Sequence, residues 1–303
     1  NFNFVTSLSS LNSILNFDKA DILSRIILNL ERFLHIIYMW SILFILIIIT
    51  KAYAYDEYVS QIAVNLSQAS YCVSSSWNCM TCTDENILEA IIESHGERVI
   101  MGYNTYLDAI FVSFRGSSNI QNWLDDIQVR KIYPYNDSNI GVEKGFYKAY
   151  QNVKSEIFET LTSIQDKYST KTVLLTGHSY GAAISTLLGF DIKDKYSMLL
   201  YTYGSPRVGN AEFVKHFNSR TNRITHYYDI VPHVPEQALG FLHIPGEIWY
   251  NEDNTKFETC KDDTEHEDES CSNSCGPYHC TSTSDHLNYI NTPMGSSACI
   301  PIS

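Results

Sequence analysis

Apolar positions along the chain change period several times after residue 97. Residues 98–103 and 108–114 are β-branched and aromatic, with a turn-prone Asn104-Thr105 between them, which predicts a hairpin. Between 145 and 167, Phe146, Tyr150, Val153, Ile157, Leu161 and Ile164 recur at spacings of three and four, the stripe of an amphipathic helix. Residues 172–176 (TVLLT) read as a buried strand halted by Gly177, and 181–190 as a helix. A strand at 198–203 stops at Gly204-Ser205-Pro206, followed by a helix at 211–218 and a strand at 223–228. Strands alternating with helices of this length predict an α/β fold, a mostly parallel central sheet flanked by helices. No internal repeat or linker interrupts the pattern, so residues 55–303 are expected to form a single domain.

The first 54 residues differ. Residues 1–38, rich in Asn, Ser, Leu and Ile near their start, read as an over-extended gene model or N-terminal extension. Met39 precedes the apolar run Ile42 to Ile49, and small residues follow at Ala52 and Ala54. Residues 39–54 are therefore expected to be a signal peptide with an A-x-A cleavage site, although nothing basic lies between Met39 and the run. The other reading is a membrane anchor through residues 33–50, interrupted or flanked by Arg32, His35 and Ser41, where a span prefers about 20 clean positions.

Composition narrows the function. The 303 residues carry 21 Lys+Arg against 34 Asp+Glu, a net charge of −13 that becomes −14 without residues 1–54, and no basic run. Nucleic-acid binding is excluded, because phosphate contacts need clustered cations. A 44% hydrophobic, 18% charged chain is too apolar to be disordered. All eight cysteines (72, 79, 82, 260, 271, 275, 280, 299) follow Ala54, an even count that fits disulfides in an exported protein. A zinc site from Cys79, Cys82, Cys275 and Cys280 is the alternative, but a second CxxC is missing, and no metal is expected. Asn65-Leu66-Ser67 and Asn136-Asp137-Ser138 are glycosylation candidates. Nine acidic residues between Glu252 and Glu269 read as a solvated loop.

Gly177-His178-Ser179-Tyr180-Gly181 fits G-x-S-x-G between a strand and a helix. That arrangement places a nucleophilic Ser179 on a strained turn, with the helix amides aimed where an oxyanion develops. A serine needs a base and the base an orienting acid, in the chain order Ser, Asp, His for such a fold. Asp229 follows the last predicted strand. Among later histidines, His266 lies in the acidic loop and His279 between cysteines. His286 opens an apolar-patterned segment, and His243 remains its competitor. His178 is expected to pack behind the nucleophile. An oxyanion hole takes the Tyr180 amide and one from an early loop, where Ser117 fits. Ile120, Trp123, Leu124 and Ile127 fall on one helical face beside Asp125 and Asp126, which reads as a lid or as a core-facing helix.

The segments FRGSSNIQNWLDD, GHSYG, YTYGSPRVGN, YYDIVPHVP, GFLHIPGEIWY and DHLNY together resemble the fungal-type triacylglycerol lipases of the class 3 lipase family, over about residues 55–299. The resemblance implies an α/β-hydrolase fold and a secreted serine hydrolase of lipid esters, without cofactor. It implies Ser179 as nucleophile, Asp229 as acid and His286, rather than His243, as base. Ser117 and Tyr180 match the oxyanion hole and residues 119–127 the lid, with Trp123 in the lid-tryptophan position and Asp126 where the family has a supporting Asp. It further implies disulfides Cys72–Cys299, Cys79–Cys82 and Cys260–Cys271, leaving Cys275 and Cys280 to pair by elimination. Two departures stand out: Tyr180 where Leu is common, and Gly181-Ala182 in place of Gly-Gly. The expected partner is an ester substrate at an oil–water interface, touched transiently through the lid by a monomer. Phospholipase A1, a feruloyl or small-ester esterase, and a silent lipid-binding scaffold are the alternatives.

Overall fold

In the computed structural model, residues 19–52, 55–126 and 129–299 are described, and the chain divides into two units, 1–54 and 55–303. In the first, helix α1 covers Lys19–Ala52. Tyr53 and Ala54 of the expected cleavage site lie outside the described residues. Among the described residues, no helix is long and apolar enough to cross a membrane.

Side chains alternate across a strand, and in the second unit both faces of the sheet are covered. Helix α2 (Glu57–Cys72) leads into β1 (Asn86–Ser94), β2 (Glu97–Asn104) and β3 (Ala109–Phe114). The short helix α3 (Ile120–Asp126) and the small pair β4 (Lys131–Ile132) and β5 (Val142–Glu143) come next, then helix α4 (Lys144–Tyr168). The chain continues through β6 (Thr172–His178), α5 (Tyr180–Ile192), β7 (Ser197–Tyr203), α6 (Ala211–His216), β8 (Thr221–His226), β9 (Glu247–Tyr250) and β10 (Phe257–Thr259). The eight-stranded sheet runs β1-β2-β3-β6-β7-β8-β9-β10. Its five middle strands, β3 to β9, pair parallel, and the pairs at either end are antiparallel.

Ile110, Val112 and Phe114 of β3 and Val173 and Leu175 of β6 join the buried stripe of α4 and the apolar side of α5 in one cluster. Phe111 and Leu174, on the opposite face, cluster with α2. Glu143 caps α4 through the Phe146 amide (2.9 Å), and Ser169 ends it in the left-handed region at φ 56°.

Helix α2 and strands β9 and β10 are absent from the sequence expectations. In α2 the buried face includes Ser60, Ser67, Gln68 and Ser70, so its polar letters hide its period. Hydrogen bonds replace apolar contacts there: Ser67 Oγ lies 2.7 Å from Thr176 Oγ1, Ser60 Oγ lies 3.0 Å from the Tyr203 hydroxyl, and Ser113 Oγ of β3 donates to the Leu66 carbonyl at 2.9 Å.

The acidic segment departs from expectation too. Most of it is solvated, but Asp262 and Glu267 turn inward because two buried guanidiniums need counter-charges. Arg207 grips Glu267 bidentately at 2.8 and 2.7 Å, while Arg223 meets Glu247 at 3.2 Å and Asp262 at 3.1 Å. Burial works against the Glu267 charge, but the hydrogen bonds from Arg207 and the charges of the Arg207 and Arg223 guanidiniums outweigh it and hold the carboxyl well below its usual range.

The disulfides are Cys72–Cys299, Cys79–Cys82, Cys260–Cys271 and Cys275–Cys280. Of the two glycosylation candidates, Asn136 is exposed, whereas Asn65 is half-buried within α2, with the Ser67 hydroxyl buried beside it.

Cys72–Cys299 closes a loop of 227 residues. The double substitution Cys72→Ser/Cys299→Ser is expected to lower stability by about 2–5 kcal/mol, read from the urea midpoint at constant slope.

Buried histidines set a pH limit on stability. Burial holds His178 and His243 well below the usual imidazole value and lowers His233 to about 4. These rings are neutral when folded and take up protons once unfolded, so the unfolded state binds more protons as pH falls. Stability is therefore full above about pH 6.5, the unfolded imidazole value, and declines below it. The His233 contribution runs out near pH 4. Urea titrations at stepped pH should show the decline, and His233→Asn should make it shallower.

Candidate active site

At the end of β6 the chain reverses into α5 through one residue, Ser179, at φ 59° and ψ −129°. A non-glycine residue there is strained by about 1–3 kcal/mol. The flanking glycines permit the turn. A Cβ on Gly177 would lie 2.5 Å from the Gly181 carbonyl carbon and oxygen, and one on Gly181 would lie 2.2 Å from the Phe114 carbonyl oxygen. The Ser179 amide donates to the Tyr203 carbonyl (2.9 Å), tying the turn to β7.

Asp229 follows β8, and His286 ends the short helix Thr283–His286, itself capped by Ser282 Oγ on the Asp285 amide at 3.0 Å. The His286 Nδ1–H donates to Asp229 Oδ2 at 2.8 Å. The same oxygen accepts from the Tyr289 hydroxyl, while Oδ1 accepts from the Val231 amide at 2.8 Å. With its proton on Nδ1, the imidazole presents Nε2 as a lone pair. Among the described residues, His286 Nε2 and Ser179 Oγ are both buried without a hydrogen-bond partner. Both residues line one cavity of about 190 Å³, with Tyr71, Ser117 and Ile120. A buried unpartnered acceptor beside a buried unpartnered hydroxyl is costly for folding and suited to a base and a nucleophile. A larger hollow of about 420 Å³, lined by Arg207, His233 and Glu269, includes none of these groups.

Behind the base runs a second chain of hydrogen bonds. His178 Nε2–H donates to the His286 carbonyl at 2.7 Å, and its Nδ1 accepts from the Tyr71 hydroxyl at 2.8 Å. Burial keeps the His178 ring neutral, so it holds this one tautomer. Tyr71 in turn lies under the loop before α3: a Cβ on Gly116 would come 2.0 Å from its hydroxyl. Asp285 anchors the segment to β8, with its carbonyl accepting from His226 Nδ1 at 2.8 Å and its carboxylate from the Tyr228 amide at 3.2 Å. The sequence reading gives Tyr71 no role, Gly204 only that of a strand stop and Tyr289 only a place in the apolar pattern after His286. Tyr289 alone carried a local signal, three positions beyond His286 in DHLNY.

The other histidines are occupied elsewhere. His243 gives Nε2–H to the Pro232 carbonyl (2.8 Å) and its backbone amide to Glu267 (2.9 Å), and His266 and His279 are exposed. Ser117 lines the cavity, but its hydroxyl donates to the Asn119 carbonyl at 3.1 Å and so turns the chain toward α3. Tyr180 is the first residue of α5, and its ring packs 5.8 Å from Phe146 and 6.5 Å from Trp123 between centroids.

Helix α3 is amphipathic: Ile120, Trp123 and Leu124 are half-buried, while Gln121, Asn122 and Asp125 are exposed. Trp123 stacks on Phe146 at 6.2 Å. Asp126 ends the helix, its side chain lies outside the described part of the molecule, and Ile127 lies outside the described residues. Three clusters of metal-ligand residue types occur among the described residues: two include disulfide-bonded cysteines, and the third, Asp137, Glu212 and His216, is at the surface.

Gly204, at φ 56°, brings its backbone close to the triad. A Cβ there would lie 2.8 Å from His286 Nδ1 and from the Tyr289 hydroxyl and 2.9 Å from Asp229 Oδ2. Gly204→Ala should displace the imidazole and cost on the order of 10²-fold in kcat, measured at saturating ester with folding checked by circular dichroism.

The model of the class 3 lipase family matches residues 111–239. A lipase of Rhizomucor miehei is 34% identical over 250 residues, covering 76% of this chain and 67% of its own length. A lipase of Rhizopus niveus is 30% identical over 254 residues, and there the chain spans 62% of the relative. A solved triacylglycerol lipase whose catalytic centre is a serine-protease triad superposes with a TM-score of 0.72 at 30% identity, over 80% of this chain and 98% of that one. With a matching family model, this identity to a relative and the same fold, the chain belongs to the class 3 lipase family.

Proposed function

We propose that this protein hydrolyses carboxylic esters of lipids, triacylglycerols foremost, through an acyl-enzyme on Ser179. The observation that carries the reading is the pair of buried unpartnered atoms, Ser179 Oγ and His286 Nε2, in one cavity beside the Asp229–His286 hydrogen bond. Ser179 Oγ attacks the ester carbonyl as His286 Nε2 takes its proton. The Tyr180 and Ser117 amides hold the resulting oxyanion. Collapse breaks the ester C–O bond, and the imidazolium protonates the departing alcohol. Water, deprotonated by His286, then attacks the acyl-enzyme and releases a fatty acid and free Ser179. Asp229 keeps the imidazole in the required tautomer throughout, and Tyr289 and Val231 hold Asp229.

Helix α3 is the lid in this reading. Its half-buried apolar face, with Trp123 on Phe146 and Tyr180, is the surface that meets oil when it lifts. Ser179, Asp229 and His286 all lie within residues 55–303 of one chain, so the reading needs no second subunit. Four disulfides within residues 55–303 support secretion, with residues 39–54 as the signal peptide.

Tributyrin taken from dissolved to emulsified tests both parts. The rate should jump when the emulsion forms, and Ser179→Ala or His286→Ala should each cost about 10³–10⁶ in kcat. Trp123→Ala should shrink the jump while leaving the dissolved-ester rate within a few-fold. A rate that saturates on dissolved ester and ignores the interface would make the protein an esterase instead.

A further inference from the structure

The molecule is strongly acidic, yet one surface groove beside the lid is lined only by cations and uncharged residues. It measures about 430 Å³ and is formed by Val129, Arg130, Lys144, Gly145 and Lys148. Lys144 and Lys148 sit one turn apart on α4 and share its exposed face. The Lys144 amide donates to the Arg130 carbonyl at 2.8 Å, which fixes the third cation's backbone against the start of the helix. All three side chains are exposed, and among the described residues none has a carboxylate partner. The neighbouring Glu143 is directed at backbone amides, not at these side chains. It is buried, and its carboxylate accepts from the Phe146 amide at 2.9 Å and the Arg130 amide at 3.4 Å.

Three like charges gathered without a carboxylate partner among the described residues repel one another, and an anion entering the groove relieves that repulsion. The position narrows which anion. Arg130 lies four residues beyond the end of α3, and Phe146, between the two lysines in sequence, is the ring on which Trp123 stacks. The groove thus lies where the chain leaves α3 and on the exposed side of the helix whose buried side seats Trp123, and the exposed Val129 adds an apolar wall beside the charges. An amphiphile with an anionic head fits such a lining. Three cations on a chain of net charge −13 are too few to hold a nucleic acid.

We propose that Arg130, Lys144 and Lys148 bind the carboxylates of fatty acids lying in a lipid surface, so that the enzyme docks preferentially where hydrolysis has already occurred. This rests on the lipase reading, since each turnover of an ester by water leaves one alcohol and one carboxylate at that surface. A net acidic protein is repelled by a surface collecting carboxylates. A local cationic groove at the rim of the lid offsets this where contact is made, and it makes adsorption rise with product.

The test uses the full chain and vesicles of ether-linked phosphatidylcholine, which has no ester to cleave, either plain or doped with oleate or with ether-linked phosphatidylglycerol. Binding is read by co-sedimentation at low salt, at a pH where oleate is ionised. Oleate should strengthen binding of the wild type, and R130Q/K144Q/K148Q should lose that gain, about fivefold for each charge removed. R130K/K144R/K148R, which keeps the charges, should retain it. Because all three positions are exposed, the variants should keep the wild-type melting temperature and its rate on a dissolved short-chain ester. An oleate gain as large in the neutral variant as in the wild type would overturn the proposal. An equal gain from phosphatidylglycerol would overturn the carboxylate assignment, leaving a groove for any anionic headgroup. Absence of ester hydrolysis by the wild type would instead remove the lipase reading, while the vesicle binding would still decide whether the groove takes carboxylates.

Discussion

Everything in the site depends on how tightly three backbone segments meet at Ser179. β6 enters, α5 leaves, and the end of β3 passes so close that a methyl group on Gly181 would collide with the Phe114 carbonyl. The turn is strained, and the sheet holds it by the Ser179–Tyr203 hydrogen bond and the parallel pairing of β6 with β3 and β7. Placing the serine there also places the α5 amides, the cavity and the floor under the lid, since Tyr180 begins α5 and packs beneath Trp123.

A nucleophile held this rigidly needs a base held equally well, and two hydrogen-bond systems meet at His286. Asp229, Val231 and Tyr289 fix the ring through Nδ1, while Tyr71 and His178 fix the backbone through the His286 carbonyl. The second system also reaches the loop beneath Ser117, because Tyr71 lies directly under Gly116. His286 and the Gly116-Ser117 loop are thereby referred to one buried tyrosine. The ion pairs of Arg207 and Arg223 serve the frame: they bring the acidic segment inward against β8 and β9, and breaking one would leave an uncompensated buried charge.

The helix proposed as the lid belongs to a different regime. Helix α3 is only seven residues long, half-buried on one side, and rests on a few aromatic contacts. A short helix is marginal without tertiary support, so a surface that offers better apolar contacts competes with its present seat.

Local pattern alone determined much of this protein. Period 3.6 marked α4, apolar β-branched runs marked β3 and β6, and glycines two positions either side of Ser179 marked the elbow, because each is a short-range steric or burial rule written in adjacent residues. The resemblance carried by several such segments supplied the choice of His286. Tertiary structure alone decided what depends on partners far along the chain. Helix α2 is buried through hydroxyl hydrogen bonds shared with β3 and β6, and two acidic-loop carboxylates are inside because Arg207 and Arg223 are inside. Tyr71, 107 residues before His178, is a catalytic neighbour only once the sheet has closed. A hydrogen bond or ion pair across such a separation leaves no period in either segment, so only the packed fold reveals it.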